Sequence, residues 1–267
     1  MDQLSLFPEQ ETDKRKPETV TWNLWHGCTK VSSGCAHCYM YRRDEAIGAD
    51  PTVVQKTQSF DLPVRILRSG PHKGEYKIPS GSRIYTCFSS DFFHKDADEW
   101  REEAWDIMRK RSDCTFFMIT KRPERIAERM PSDWDNGWQH VTIAVTCENQ
   151  AAADKRLPVY LSLPLCRHEV MIEPMLSAVD LRPYFNGYTG TDGKPKIRSV
   201  SVGGESGPDA RPCDYDWVLD IHAQCVEYGA GFSYHQTGAK LIKDGKEYHI
   251  PRSRQHEQAH KARLDHK

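Results

Sequence analysis

Three thiols crowd one short stretch of the chain, HGCTKVSSGCAHCYM (26–40), in the spacing Cys28-x6-Cys35-x2-Cys38. A C-x-x-C pair can place two sulfurs on one metal centre, and the loop before it can return a third. Gly27 and Gly34 each precede a cysteine, where a tight backbone often needs permissive φ. Backbone N–H groups of such a loop, with Lys30 and Arg42 nearby, could offset the negative charge of bound thiolates. Three readings compete. A structural zinc site wants four ligands, so His26 or His37 would complete it, although no second pair spaced like C-x-x-C or H-x3–5-H follows. An iron–sulfur cluster normally takes four cysteines, and three alone leave one iron open to bind something else. Chance clustering of core thiols is the bland reading, and it sits poorly in a loop rich in Gly, Ser, Thr and Lys.

The wider composition narrows the setting. The N-terminus, MDQLSLFPEQETDKRK, has neither the basic start nor the long apolar core of a secretory signal, and no apolar run approaches a membrane span. The expectation is therefore a cytoplasmic protein without membrane contact. There, nine cysteines, an odd number, suggest metal or redox chemistry rather than disulfides. Cys87 and Cys147 lie in apolar runs and Cys225 on a helical face, so these read as buried structural thiols. A net charge of −1 supplies no global basic field for nucleic acid.

The elements that must position the thiols alternate along the chain. Apolar, β-favouring runs predict strands over 19–25, 83–88, 115–120, 141–146, 169–173, 198–203 and 231–236. Between them, Trp100, Ala104, Ile107 and Met108 form one apolar stripe on a charged helix. Trp217, Ile221, Cys225 and Tyr228 form another, with Gly229 as a C-cap. Residues 42–80 and 181–196 read as loops and short helices. Residues 1–18 read as a disordered leader, 19–240 as a single α/β domain, and 241–267 as a polar, surface or frayed tail. Such alternation favours a parallel sheet with right-handed crossovers, either a barrel or a doubly wound sheet.

Polar and glycine-rich residues follow strand after strand, where parallel α/β folds bind ligands. Ser89, Ser90 and Asp91 could hold a cofactor's polar groups or cap the next helix. Lys121 and Arg122 suit a carboxylate or phosphate, whereas Arg125 and Arg129 read as a solvated helix face. Glu148 and Glu173 could accept hydrogen bonds from a ribose or amine, or pair with Lys121 and Arg122. Gly203, Gly204 and Glu205 offer a close-approach backbone with an acceptor. His235 reads as a satisfied core histidine.

The string TWNLWHGCTKVSSGCAHCYM resembles the start of a phage-associated three-Cys-motif family of unknown function. The likeness continues in order through CFSSDFFH, ITKRPERI, VTCENQ, IEPML, VGGESGPDARP and DWVLDIHAQC, covering residues 19 to about 240. That family in turn looks like a variant of the radical S-adenosylmethionine enzymes. The resemblance implies an open or partial (β/α) barrel of roughly seven mostly parallel strands. It also implies a 4Fe–4S cluster on Cys28, Cys35 and Cys38, with S-adenosylmethionine chelating the fourth iron through its amino and carboxylate groups. An electron from the cluster would cleave that cofactor to a 5′-deoxyadenosyl radical, which abstracts hydrogen from substrate. His37 would take a slot often filled by an aromatic near adenine; Ser89, Glu148, Glu173, Gly203, Gly204 and Glu205 are the further cofactor-binding candidates. Asp91, Lys121 and Arg122 are the catalytic ones. Two departures stand out: the superfamily's common spacing is C-x3-C-x2-C, and its glycine-rich motif follows an early strand, not a late one.

One further resemblance lies in the leader. QLSLF (3–7) is similar to the peptide by which bacterial replication and repair proteins dock on the sliding clamp, with Gln3, Leu4, Leu6 and Phe7 carrying the pattern. It implies a position near DNA and, with Lys121 and Arg122, a nucleic-acid or nucleotide substrate. An electron donor is also expected. The contrasting expectation is a zinc-stabilised, non-enzymatic adaptor of a phage or mobile element.

Overall fold

The computed structural model describes residues 15–267, so the clamp-like residues Gln3, Leu4, Leu6 and Phe7 lie outside the described residues. In chain order the elements are β1 (Thr19–Trp22), β2 (Trp25–His26), α1 (Tyr39–Ala46), β3 (Gln55–Lys56), β4 (Arg83–Thr86), α2 (Asp98–Lys110), β5 (Thr115–Thr120) and β6 (Val141–Thr146). There follow α3 (Gln150–Ser162), β7 (His168–Ile172), α4 (Arg182–Gly187), β8 (Ile197–Gly203), β9 (Cys213–Asp214) and α5 (Tyr215–Tyr228). The chain ends with β10 (Gly231–Gln236), β11 (Lys240–Lys243), β12 (Lys246–His249) and α6 (Arg252–Lys261).

Seven parallel strands, in the order β1-β4-β5-β6-β7-β8-β10, curl into a half-barrel with helices around it. This is the open α/β barrel expected. The burial pattern explains the curl. On β7, β8 and β10, Val170, Ile172, Val200, Val202, Phe232 and Tyr234 are buried. The residues between them, Glu169, Met171, Ser199, Ser201 and Ser233, are only half-buried and line a cavity. Alternation with a period of two therefore sends apolar side chains outward under the helices and polar ones inward.

The helices cover the convex face with the stripes anticipated. Ala104, Ile107 and Met108 of the α2 stripe are buried and Trp100 is half-buried, while Trp105, outside that stripe, is also buried and packs edge-on to Phe92 at 4.7 Å between centroids. Gly229 ends α5 with φ +67°, the left-handed conformation of a C-cap. Buried Arg111 anchors the irregular 42–80 region by donating to the carbonyls of Pro63 and Ile78.

Three expectations need correction. The run 19–25 is not one strand: Asn23 breaks it by accepting from the Ser89 N–H at 3.0 Å, and the chain resumes as β2, which pairs antiparallel with β3 across the cysteine loop and α1. The start of the domain is pinned earlier than expected, since Arg15 bonds the Lys77 carbonyl at 2.8 Å and Glu18 N–H bonds Ser82 Oγ at 3.0 Å. The polar tail is folded. β11 pairs with β12 and β9 in a second sheet, α6 follows, and His266 pairs with Phe232 on the outer edge of β10.

Candidate functional site

The three-cysteine loop sits at the C-terminal mouth of the half-barrel and is held by unusually specific backbone contacts. Gly27 has φ +94°, and a Cβ there would collide with the Val53 carbonyl, so only glycine fits. Cys28 N–H bonds the Pro51 carbonyl at 2.8 Å. A short 3-10 turn over Ser33–Cys35 leads to Cys38, which caps α1. Lys30 Nζ donates to the Ala36 carbonyl at 3.1 Å, bracing the turn.

Beneath the loop, Glu148 is fully buried and pairs with Arg156 at 2.6 Å. It also accepts from Gly34 N–H at 3.3 Å, which fixes the turn between Cys28 and Cys35. Burial raises its carboxyl, but the Ser32 hydroxyl and the Arg156 guanidinium outweigh burial and hold it below the usual range. Glu205 is arranged similarly. Its burial is opposed by Arg211, whose backbone N–H and Nε both donate at 2.9 Å, so this carboxyl too is held low. Arg211 Nη2 continues to the Ser33 carbonyl at 3.0 Å. Arg42 of α1 donates to the His37 carbonyl at 2.7 Å and the Ser206 carbonyl at 3.0 Å. Two arginines thus stitch the cysteine loop to the loop containing Gly203, Gly204 and Glu205. A Cβ on Gly204 would meet the Thr237 carbonyl, so only glycine fits there, whereas one on Gly203 would meet the Glu173 carboxyl at 2.6 Å and displace that side chain.

Asp91 and Arg122 form a buried ion pair at 2.9 Å. Asp91 also accepts from Thr120 Oγ1 at 2.8 Å, Lys121 N–H at 3.0 Å and Phe93 N–H at 2.9 Å. Arg122 reaches the Thr29 carbonyl at 2.8 Å and lies 3.7 Å from Cys28 Sγ. Burial pushes the Cys28 thiol up to about 11 against the pull of Arg122.

A cavity of about 1490 Å³ opens below the loop. Of the residues singled out from sequence, Gly34, Cys35, His37, Cys38, Cys87, Lys121, Glu173, Gly204, Glu205 and His235 line it. Cys28, Ser89, Asp91, Arg122, Glu148 and Gly203 do not; they lie behind the wall and hold the loops that form it. Ser89 Oγ, for example, donates to the Trp25 carbonyl at 3.1 Å. Neither Glu148 nor Glu173 pairs with Lys121 or Arg122. Arg125 and Arg129 keep part of their side chains in solvent, and both converge on Asp98, at 2.8 and 2.9 Å. His94 caps the turn after Asp91, its ring nitrogen accepting from Asp96 N–H at 3.2 Å.

Sequence reasoning missed two features of the rim. His235 is half exposed rather than a core residue, and its Nδ1 meets Glu173 at 2.9 Å. That hydrogen bond raises its pKa from the ordinary imidazole value. Gln236 donates to the same carboxylate. Both stand at a strand's C-terminal end, a signal present in HQTG. Arg211 gave no signal beyond its place in GPDARP.

Among the described residues no group of three or more His, Cys, Asp or Glu side chains stands in metal-holding geometry. Cys35 and Cys38 face the cavity while Cys28 turns to Arg122, so the sulfurs do not converge as they stand. The donor set itself suits a three-thiolate group: all three are free, half-buried thiols on one loop with a guanidinium beside the first.

The fold and site define a parallel α/β half-barrel with a three-cysteine rim. By sequence, residues 16–266 match the model of a family described as a protein of unknown function, DUF5131, and the chain belongs to that family. No curated protein and no solved structure matches it. No helix among the described residues is long and apolar enough to cross a membrane.

Proposed function

We propose that the chain is an iron–sulfur enzyme of radical S-adenosylmethionine type, with Cys28, Cys35 and Cys38 holding a 4Fe–4S cluster. One observation carries this reading: a loop with only three thiols at the C-terminal mouth of a parallel half-barrel, two of them facing its cavity beside Gly204 and Glu205. Its resemblance to a phage-associated three-Cys family points the same way. When bound, such a cluster supplies one electron to a sulfonium cofactor chelated at its open iron.

The protein's own residues then have defined tasks. Glu148 and Arg211 fix the loop so that Cys35 and Cys38 face the cavity. Gly204 would let backbone approach the cofactor closely, and Glu205 and His37 line the cavity beside it. Lys121 presents a cation at the rim for a carboxylate or phosphate. The Glu173–His235 pair can hold or release a proton at the cavity edge. Asp91 and Arg122 position these groups from behind.

Anaerobic purification tests the reading. It predicts a brown protein with about four irons per chain, lost in Cys28→Ser/Cys35→Ser/Cys38→Ser. Reduction with S-adenosylmethionine should then yield 5′-deoxyadenosine. A colourless protein with one zinc that loses structure on chelation would replace this reading with a zinc-stabilised adaptor.

A further inference from the structure

The cavity extends well below the cysteine rim, and its lower walls have no task in the reading above. Register places Tyr85 of β4 beside Phe117 of β5, and Glu169 of β7 beside Ser199 of β8. One layer higher, Thr146, Met171, Ser201 and Ser233 stand in line across β6, β7, β8 and β10. The result is a two-sided chamber. One wall is aromatic, with Tyr85 edge-on to Phe117 at 5.8 Å and to Phe88 at 5.3 Å. The other is a carboxylate and a set of hydroxyls.

Two groups in this chamber lack the partners that a purely structural role would give them. Thr146 is 1% exposed, lines the cavity, and its Oγ1 has no hydrogen-bond partner. Valine would fill the same space without leaving an orphaned hydroxyl, so the hydroxyl calls for a ligand. The Glu169 carboxyl is raised by burial, with Arg83 and Arg167 opposing only through space and no hydrogen bond to it. Arg83 and Arg167 also line the cavity. The Arg83 guanidinium lies over the Tyr85 and Phe117 rings, 5.2 and 5.3 Å from their centroids, so a phosphate drawn to it would leave these rings to the base.

We propose that this chamber is a nucleotide subsite: the base lies against Tyr85, Phe88 and Phe117, the phosphate on Arg83 and Arg167, and Glu169 and Thr146 take N–H and O–H groups. Flat aromatic faces stack on bases of any sequence, and guanidinium groups match phosphate geometry. A carboxylate without a protein donor accepts from the exocyclic amine of adenine or cytosine, where uracil presents an acceptor oxygen instead. The inference deepens the proposed function by naming the substrate class of the same cavity, yet nucleotide binding here requires no metal.

Titration calorimetry on the full chain tests it, using AMP, CMP, UMP and adenosine as probes. AMP and CMP should bind, and UMP, which lacks the amine, at least tenfold more weakly. Arg83→Ala should weaken AMP at least tenfold and leave adenosine unchanged. Glu169→Leu should abolish the preference for CMP over UMP. Thr146→Val should weaken AMP severalfold without lowering the melting temperature of the free protein. The wild-type chain purified without iron, measured in parallel, should bind AMP like the iron-loaded one. No saturable binding of any probe at millimolar concentration, or equal AMP affinity in all three cavity variants, overturns the subsite while leaving the iron result standing. Binding by a chain that takes up no iron would retain the subsite and remove the cluster.

Discussion

Replacing Asp91 by Asn keeps the shape of the side chain and removes its charge, which separates a positioning role from a chemical one. Oδ1 accepts from Phe93 N–H at 2.9 Å and Thr120 Oγ1 at 2.8 Å, and Oδ2 accepts from Lys121 N–H at 3.0 Å and faces Arg122 at 2.9 Å. An amide has one oxygen, so it can serve one of these sets but not both. Its NH2 would then point at donors. Side-chain exposure is 7% for both members of the pair, so water cannot repair the loss. Breaking a buried ion pair from one side costs about 3–5 kcal/mol. At roughly 2–4 °C per kcal/mol for a domain of this size, the melting temperature of Asp91→Asn should fall by about 10 °C. The assay is thermal unfolding followed by tryptophan fluorescence, with AMP affinity measured on the folded variant. Because Asp91 lies behind the cavity wall, that affinity should stay within about twofold of wild type. A variant that melts like the wild type would refute the reasoning, since the four contacts would then contribute nothing net.

Other perturbations test neighbouring parts of the argument. Gly34→Ala places a Cβ 2.9 Å from Glu148 Cδ, a side chain that Arg156 holds in place, so overpacking of about 1–3 kcal/mol should lower both melting temperature and iron content; unchanged values for both would show that the loop is free to shift. Glu148 and Glu205 have carboxyls held below their ordinary values, so their contribution is present above about pH 4.3 and lost as pH falls through the depressed values. Near-ultraviolet circular dichroism should show acid loss of structure that is shallower in Glu148→Gln/Glu205→Gln, and identical slopes would exclude these pairs. The His235–Glu173 pair has the opposite sign: its contribution is complete below the ordinary imidazole pKa and lost as pH rises through the raised value, which an NMR titration of His235 should detect. For the leader, pull-down with a bacterial sliding clamp should recover the wild type and not Leu6→Ala/Phe7→Ala; equal recovery of both would end that idea.

The strands of the half-barrel were legible because their signal is local. Val, Ile, Phe and Thr fill β5 and β6, and the residues after each strand already marked the rim. The ends were less legible, because long-range partners set them. Asn23 ends β1 by reaching Ser89, which no window of neighbouring residues reveals. The C-terminal elements were missed because they bury few apolar side chains, Leu241 and Ala259 among them, and so show no periodicity. Within the site, the thiol spacing was plain, and so was the cluster of candidates at strand ends. Which of them face the cavity was not. Glu148 and Glu173 looked equivalent in sequence, yet Arg156 draws one into the wall and His235 leaves the other at the edge. Thr146 carried no signal at all, because an unpartnered hydroxyl exists only once the surroundings have folded.

The outermost strands of the main sheet, β1 and β10, never meet. A closed cylinder would admit only what passes through its ends, whereas this wall has a slit along its side. The tail covers part of that side, where His266 pairs with Phe232 of β10, and the rest is left for a guest to close. A molecule broad enough to span the gap would seal it on arrival; a small one would leave the chamber wet.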